Sequence, residues 1–126
     1  MIKTIKTAFF LLATFQMALA YSFDSVDTAT AEKMIKEGSV VLLDVRTPQE
    51  FAEGHLNLAL NKDYQSPHFA EEVNLLDKGK TYLLYCRSGR RSALAAEQMQ
   101  NLGFQKIYNM QGGIVKWISE ARPVQK

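Results

Sequence analysis

The sequence predicts an α/β layer sandwich, a mostly parallel central sheet with helices on both faces. Two stretches, Val40-Val41-Leu42-Leu43-Asp44-Val45 and Thr81-Tyr82-Leu83-Leu84-Tyr85, are nearly continuous runs of apolar, β-branched and aromatic residues, the pattern of strands covered on both sides. Segments with helical spacing alternate with such runs. Glycine or proline stands at most of the changes of pattern, at Gly38, Pro48, Gly54, Gly79, Gly103 and the Gly112-Gly113 pair.

The 126 residues, 47% apolar and 22% charged, have the composition of an ordinary globular protein, and one domain is the natural count. The first twenty residues read differently. Lys3 and Lys6 precede an almost unbroken apolar run from Ala8 to Met17, and Ala18-Leu19-Ala20 follows. A positive start, a short apolar segment and small residues two apart make residues 1–20 a secretory signal peptide, with cleavage expected before Tyr21 and a periplasmic location for residues 21–126. The run is shorter than the roughly 18 to 20 residues a membrane span needs. Without it, two of the fifteen basic residues are lost and none of the thirteen acidic ones, so the formal charge of +2 falls to zero. A nucleic-acid binder would want a basic face on the folded domain, so no nucleic-acid partner is expected, nor a membrane after cleavage. A monomer is expected.

In chain order, Val26 to Glu37 predicts an amphipathic helix, with Asp27 or Thr28 to cap it, Ala31, Met34 and Ile35 on one side, and Gly38 as the stop. The strand Val40–Val45 follows. Thr47-Pro48-Gln49-Glu50 then carries a capping residue, a proline suited to the first helical position and the glutamate of a capping box, so a short helix runs through Glu53 to Gly54. Leu58 to Asn61 predicts a brief strand, and Phe69 to Leu76 a weak helix before the Lys78-Gly79-Lys80 turn. The strand Thr81–Tyr85 runs directly into Cys86-Arg87-Ser88-Gly89-Arg90-Arg91, and a strong helix extends from Ser92 to Leu102. Lys106 to Met110 reads as a strand, Gln111-Gly112-Gly113 as a turn, and Ile114 to Glu120 as the last helix before Pro123. Tyr82, Tyr85, Phe104 and Trp117 fit core packing.

Cys86 is the only cysteine, so no intramolecular disulfide is possible in a chain expected to be exported. A lone cysteine is either a small buried hydrophobe or a reactive thiol, and its surroundings decide. Reactive groups of parallel α/β sheets sit where strands end and loops begin, and Cys86 falls there. Gly89 can take positive φ, and Ser92 is placed to open a helix, so that successive backbone N–H groups turn toward the sulfur. The helix terminus adds partial positive charge, and Arg87, Arg90 and Arg91 add full charges, which favours the thiolate. Such a ring of donors makes Cys86 a nucleophile and makes Arg87, Ser88, Gly89, Arg90, Arg91 and Ser92 the expected cradle for an incoming anion. Neither His55 nor His68 suggests a metal site, and no cofactor is expected.

These residues resemble the rhodanese-like domains in their single-domain form, over nearly all of residues 21–126. One motif stands as Leu43-Asp44-Val45-Arg46, Glu50-Phe51 and Gly54-His55-Leu56; a second is the strand, cysteine and loop; a third is Leu102-Gly103-Phe104, Ile107-Tyr108-Asn109-Met110 and Gly112-Gly113-Ile114 with Trp117. The resemblance implies the three-layer rhodanese-like fold and thiosulfate:acceptor sulfurtransfer through a Cys86 persulfide. A small anionic sulfur donor and a thiol or cyanide acceptor would be the partners. It also implies that Asp44, Arg46 and His55 brace the loops and pair with one another rather than act as a catalytic triad with Cys86. A basic loop such as this one resembles those suited to the thiosulfate dianion more than those of mercaptopyruvate-using relatives. Where the family often has Gly-Ala, this chain has Asn57-Leu58-Ala59. Two alternatives stand beside this reading: a non-catalytic sulfur-carrier or partner-binding module, and a cysteine-loop phosphatase or arsenate reductase. Phosphatase loops place five residues between cysteine and arginine; here four separate Cys86 from Arg91, which argues for a pocket sized for sulfur.

Overall fold

The computed structural model describes residues 23–126, and the predicted signal peptide lies outside them. Strands β1 (Asp24–Val26), β2 (Val41–Asp44), β3 (Leu60–Asn61), β4 (Thr81–Tyr85) and β5 (Lys106–Met110) form one sheet in the order β1-β5-β4-β2-β3. Every pairing is parallel. Helices α1 (Thr28–Lys36), α2 (Pro48–Glu53), α3 (Phe69–Asn74), α4 (Arg90–Asn101) and α5 (Gly113–Ser119) connect and follow the strands.

Alternation along the central strands sorts the core into two layers. Leu43, Tyr82, Leu84 and Cys86 pack with Phe69 and Val73 of α3 and with Ala95, Ala96 and Met99 of α4. Leu42, Leu83 and Tyr85 point the other way, onto Ala31 of α1 and Ile114 and Trp117 of α5. Because β2 and β4 are buried on both sides, their sequences carry no polar face, which is why they read as continuous apolar runs.

Three local details depart from the expectations. The segment before α1 is not helical from Val26: Asp24–Val26 is a short edge strand on β5, and the helix begins at Thr28 with the Asp27 carboxylate accepting from the Thr30 amide at 2.7 Å. Helix α4 begins at Arg90 rather than Ser92, with Gly89 at its cap. Helix α5 begins one residue earlier than expected, at Gly113. The capping box of α2 forms as the sequence predicts, Thr47 and Glu50 each receiving the other's backbone amide. Among the described residues no helix is long and apolar enough to cross a membrane.

Candidate active site

The carboxyl ends of β2, β4 and β5 lie side by side, with Asp44 opposite Tyr85 and Leu84 opposite Asn109. Cys86 therefore leaves the central strand flanked by Asp44-Val45-Arg46 on one side and Asn109-Met110 on the other. Its side chain is buried, 1% exposed, on the α3/α4 face.

The chain then turns sharply. Gly89 has φ +107, a conformation that L side chains resist, and it caps α4 without a side-chain hydrogen bond of its own. The unpaired amides of the helix start are thus free to face the sulfur, which acts as the missing cap. The Gly89 amide donates to Cys86 Sγ at 3.1 Å, and the Ser92 hydroxyl lies 3.3 Å from it. Burial alone would push the thiol's pKa up. The Ser92 hydroxyl and the backbone amides of Ser92, Gly89 and Ser88 outweigh burial and hold it below the ordinary cysteine value.

A second helix grips the loop from behind. The amides of Ile114 and Val115, at the start of α5, donate to the Cys86 and Arg87 carbonyls at 2.9 and 3.1 Å. That approach requires Gly113: a Cβ there would sit 2.6 Å from the Cys86 carbonyl oxygen and closer still to that of Arg87, at φ +59. From β5, the Asn109 side-chain amide donates to the Gly89 carbonyl at 3.3 Å.

The three arginines divide. Arg91 is half-buried and forms a two-pronged ion pair with Glu50 of α2, at 2.7 and 2.8 Å. Hydrogen bonding from Arg91, aided by the Thr47 amide, overcomes partial burial and draws the Glu50 carboxyl down to about 2. Arg87 and Arg90 are exposed, and among the described residues neither side chain makes an ion pair or hydrogen bond. Ser88 is exposed at the tip, while Ser92 is fully buried.

Asp44 and Arg46 form a closed unit. The buried Asp44 carboxylate accepts from the Arg46 backbone amide at 2.9 Å and from its guanidinium at 2.7 to 3.2 Å, and Arg46 also donates to the Gly54 carbonyl at 2.7 Å. His55 does not join that pair. Its ring stacks on Phe51 at 3.7 Å, its Nδ1 lies 2.9 Å from the Phe51 carbonyl, and its backbone bridges to Gln125. His68 stands 3.5 Å from Glu71 on the surface. At the Asn57-Leu58-Ala59 departure, Leu58 takes φ +68 and is 76% exposed.

Three residues of this site escaped the sequence. Each stood in a motif of the family resemblance, but Glu50 was otherwise read as a helix cap, Gly113 as a turn residue and Asn109 as part of a strand, with no role at the cysteine loop. Each acts across 20 or more residues of chain, for example 41 between Glu50 and Arg91 and 20 between Gly89 and Asn109, where local pattern carries no signal.

Residues 27–120 match the family model described as "Rhodanese-like domain". The chain belongs to that family. Among rhodanese-like relatives, it is 30% identical over 96 residues to a sulfurtransferase of Allochromatium vinosum, covering 75% of this chain and 86% of the relative. It is 32% identical over 112 residues to thiosulfate sulfurtransferase 18 of Arabidopsis thaliana, covering 79% and 82% of the two chains. Among solved structures, a rhodanese-related protein from Thermoplasma volcanium superposes with a TM-score of 0.73 at 32% identity, covering 82% of this chain and 98% of that one.

Proposed function

We propose that this rhodanese-like domain is a thiosulfate:acceptor sulfurtransferase whose catalytic residue is Cys86. The observation that carries this reading is the convergence on one sulfur of the Gly89 amide, the Ser92 hydroxyl and the surrounding loop amides. In the first step the Cys86 thiolate attacks the outer sulfur of thiosulfate. A bond forms between the two sulfurs, the sulfur–sulfur bond of the donor breaks, and sulfite leaves with the electron pair. The persulfide anion that remains sits among the same amides. In the second step cyanide or a thiolate attacks the outer sulfur, leaving as thiocyanate or a new persulfide, and the Cys86 thiolate is restored. No external acid or base is needed, since both leaving groups depart as stable anions.

The exposed Arg87 and Arg90 are the charges free to draw in a dianionic donor, while Arg91, held by Glu50, sets the position of the helix start. Ser88 at the tip offers a further donor. Asp44, Arg46 and His55 support the neighbouring loops. Residues 1–20 would direct export to the periplasm, where residues 21–126 would act as a monomer.

The test is intact-mass measurement after thiosulfate treatment, together with thiocyanate formation when cyanide is added. The wild type should gain one sulfur and make thiocyanate, and Cys86→Ser should do neither. A wild type that gains no sulfur would replace this reading with a partner-binding module. Hydrolysis of p-nitrophenyl phosphate without thiocyanate formation would replace it with a phosphatase.

A further inference from the structure

Among the described residues, Asn109 is the one buried side chain beside the cysteine loop with half of its hydrogen-bonding capacity unused. It is 5% exposed, and its Oδ1 is buried without a partner. The orientation of the amide is fixed by its contact: exchanging the two ends would set Oδ1 against the Gly89 carbonyl, acceptor to acceptor. A leucine of similar size would avoid that unpaired acceptor, so the donating end has to be what the position supplies.

The Gly89 carbonyl has two lone pairs and three donors around it. These are the Ala93 amide at 3.2 Å, the Asn109 amide at 3.3 Å and the Ser92 hydroxyl at 3.1 Å. The Ser92 hydroxyl has a single proton and lies 3.3 Å from the Cys86 sulfur on its other side. With Ala93 and Asn109 occupying the carbonyl, that proton turns to the sulfur. Without Asn109, the carbonyl competes for it.

We propose that Asn109 is a positioning residue which, by satisfying the Gly89 carbonyl, commits the Ser92 proton to the Cys86 sulfur. The inference deepens the sulfurtransferase reading and rests on Cys86 reacting as a thiolate. Among the charged groups on the elements around the loop, Arg91, paired with Glu50, interacts with Cys86; the others are Arg87 and Arg90 of the loop, the Asp44 and Arg46 pair at the end of β2 and Lys116 beside Gly112. His68, Glu71 and Glu72 of α3 are exposed. None of these changes in the variants below, so their influence cancels.

The experiment is the pH dependence of Cys86 alkylation by iodoacetamide in the wild type, Asn109→Leu, Ser92→Ala and the double variant. One hydrogen bond to an anion corresponds to about one pH unit, so Asn109→Leu should move the midpoint up by about that much. Ser92→Ala should do the same, and the double variant should go no higher than Ser92→Ala alone. The leucine variant should melt no lower than the wild type, and Asn109→Ala takes its place if it does not fold. An unmoved midpoint in the Asn109 variant overturns the proposal, as do full additive shifts in the double variant. A wild-type midpoint at the ordinary thiol value of about 8.5 overturns the sulfurtransferase reading instead.

Discussion

Two clusters of reactive side chains lie on neighbouring strands at the same edge of the sheet, and their bonding is opposite. At the end of β2, Asp44 and Arg46 hold carboxylate, guanidinium, a backbone amide and the Gly54 carbonyl in one closed set of hydrogen bonds. At the end of β4, amides and a hydroxyl converge on the Cys86 sulfur, and two arginines at the rim remain uncommitted. Residue type alone does not separate the two, since a carboxylate, an arginine and a histidine look as reactive on paper as a cysteine beside arginines. What separates them is whether each charge has already been answered within the protein. The first cluster is fastened; the second leaves two arginines exposed at its rim.

The difference predicts which function each cluster loses when broken. Asp44→Asn leaves the buried Arg46 charge without its partner and should cost roughly 3–5 kcal/mol in chemical denaturation. The folded fraction should still take up sulfur on Cys86 at the wild-type rate. Loss of that rate per folded molecule would put Asp44 into the chemistry and erase the distinction between the clusters.

Gly113→Ala should do the reverse. Its Cβ meets the Cys86 and Arg87 carbonyls, so the loop has to move, with a stability cost of roughly 1–3 kcal/mol. Sulfur uptake should fall by more than that instability explains, because the amides no longer aim at Sγ. Uptake equal to wild type in the folded protein would show that the loop does not need the grip of α5.

Glu50→Gln tests the link between the two regions, since Glu50 lies on the helix after β2 and holds the start of α4. The carboxyl's folded value is about 2, held down first by Arg91, against 4.5 for the free group. Its contribution is therefore present above about pH 4.5 and lost as pH falls toward 2. With partial solvent screening, the variant should be less stable than wild type by about 1–2 kcal/mol at pH 7. That difference should close as the pH is lowered to about 2. A gap that persists at low pH would assign the loss to helix capping rather than to the ion pair.

His55→Phe should have the smallest effect. The histidine stacks on Phe51 and the new ring can do the same, so a change within about 1 kcal/mol and unaltered sulfur uptake are expected. A drop in uptake at constant stability would return His55 to the site.

How far the sequence revealed this arrangement follows from the range of each interaction. The capping box of α2, the buried strands β2 and β4 and the glycine stops are short-range signals, and the structure has them where the pattern places them. Strand β1 has only Asp24, Ser25 and Val26, one of them partly buried, and pairs on a single side, so no apolar run announces it. The cysteine loop was legible because its donors are consecutive in the chain. The division among the arginines was not, because it depends on Glu50, 41 residues away. His55 was expected to pair with Asp44 or Arg46, and it turned instead to the Phe51 ring of the helix that ends just before it.

The sulfur that completes the start of α4 has a consequence for how this protein can be switched off. In the proposed reaction one atom serves both as a fastening of the architecture and as the seat of the chemistry, so damage to it would be felt twice. An oxidised or blocked Cys86 would unsettle the helix behind it as well as end turnover, and a cell that clears loosened proteins would see the spent molecule as such. Alanine at this position would therefore be a poor silent control, whereas serine keeps an acceptor for the amides and separates the two losses.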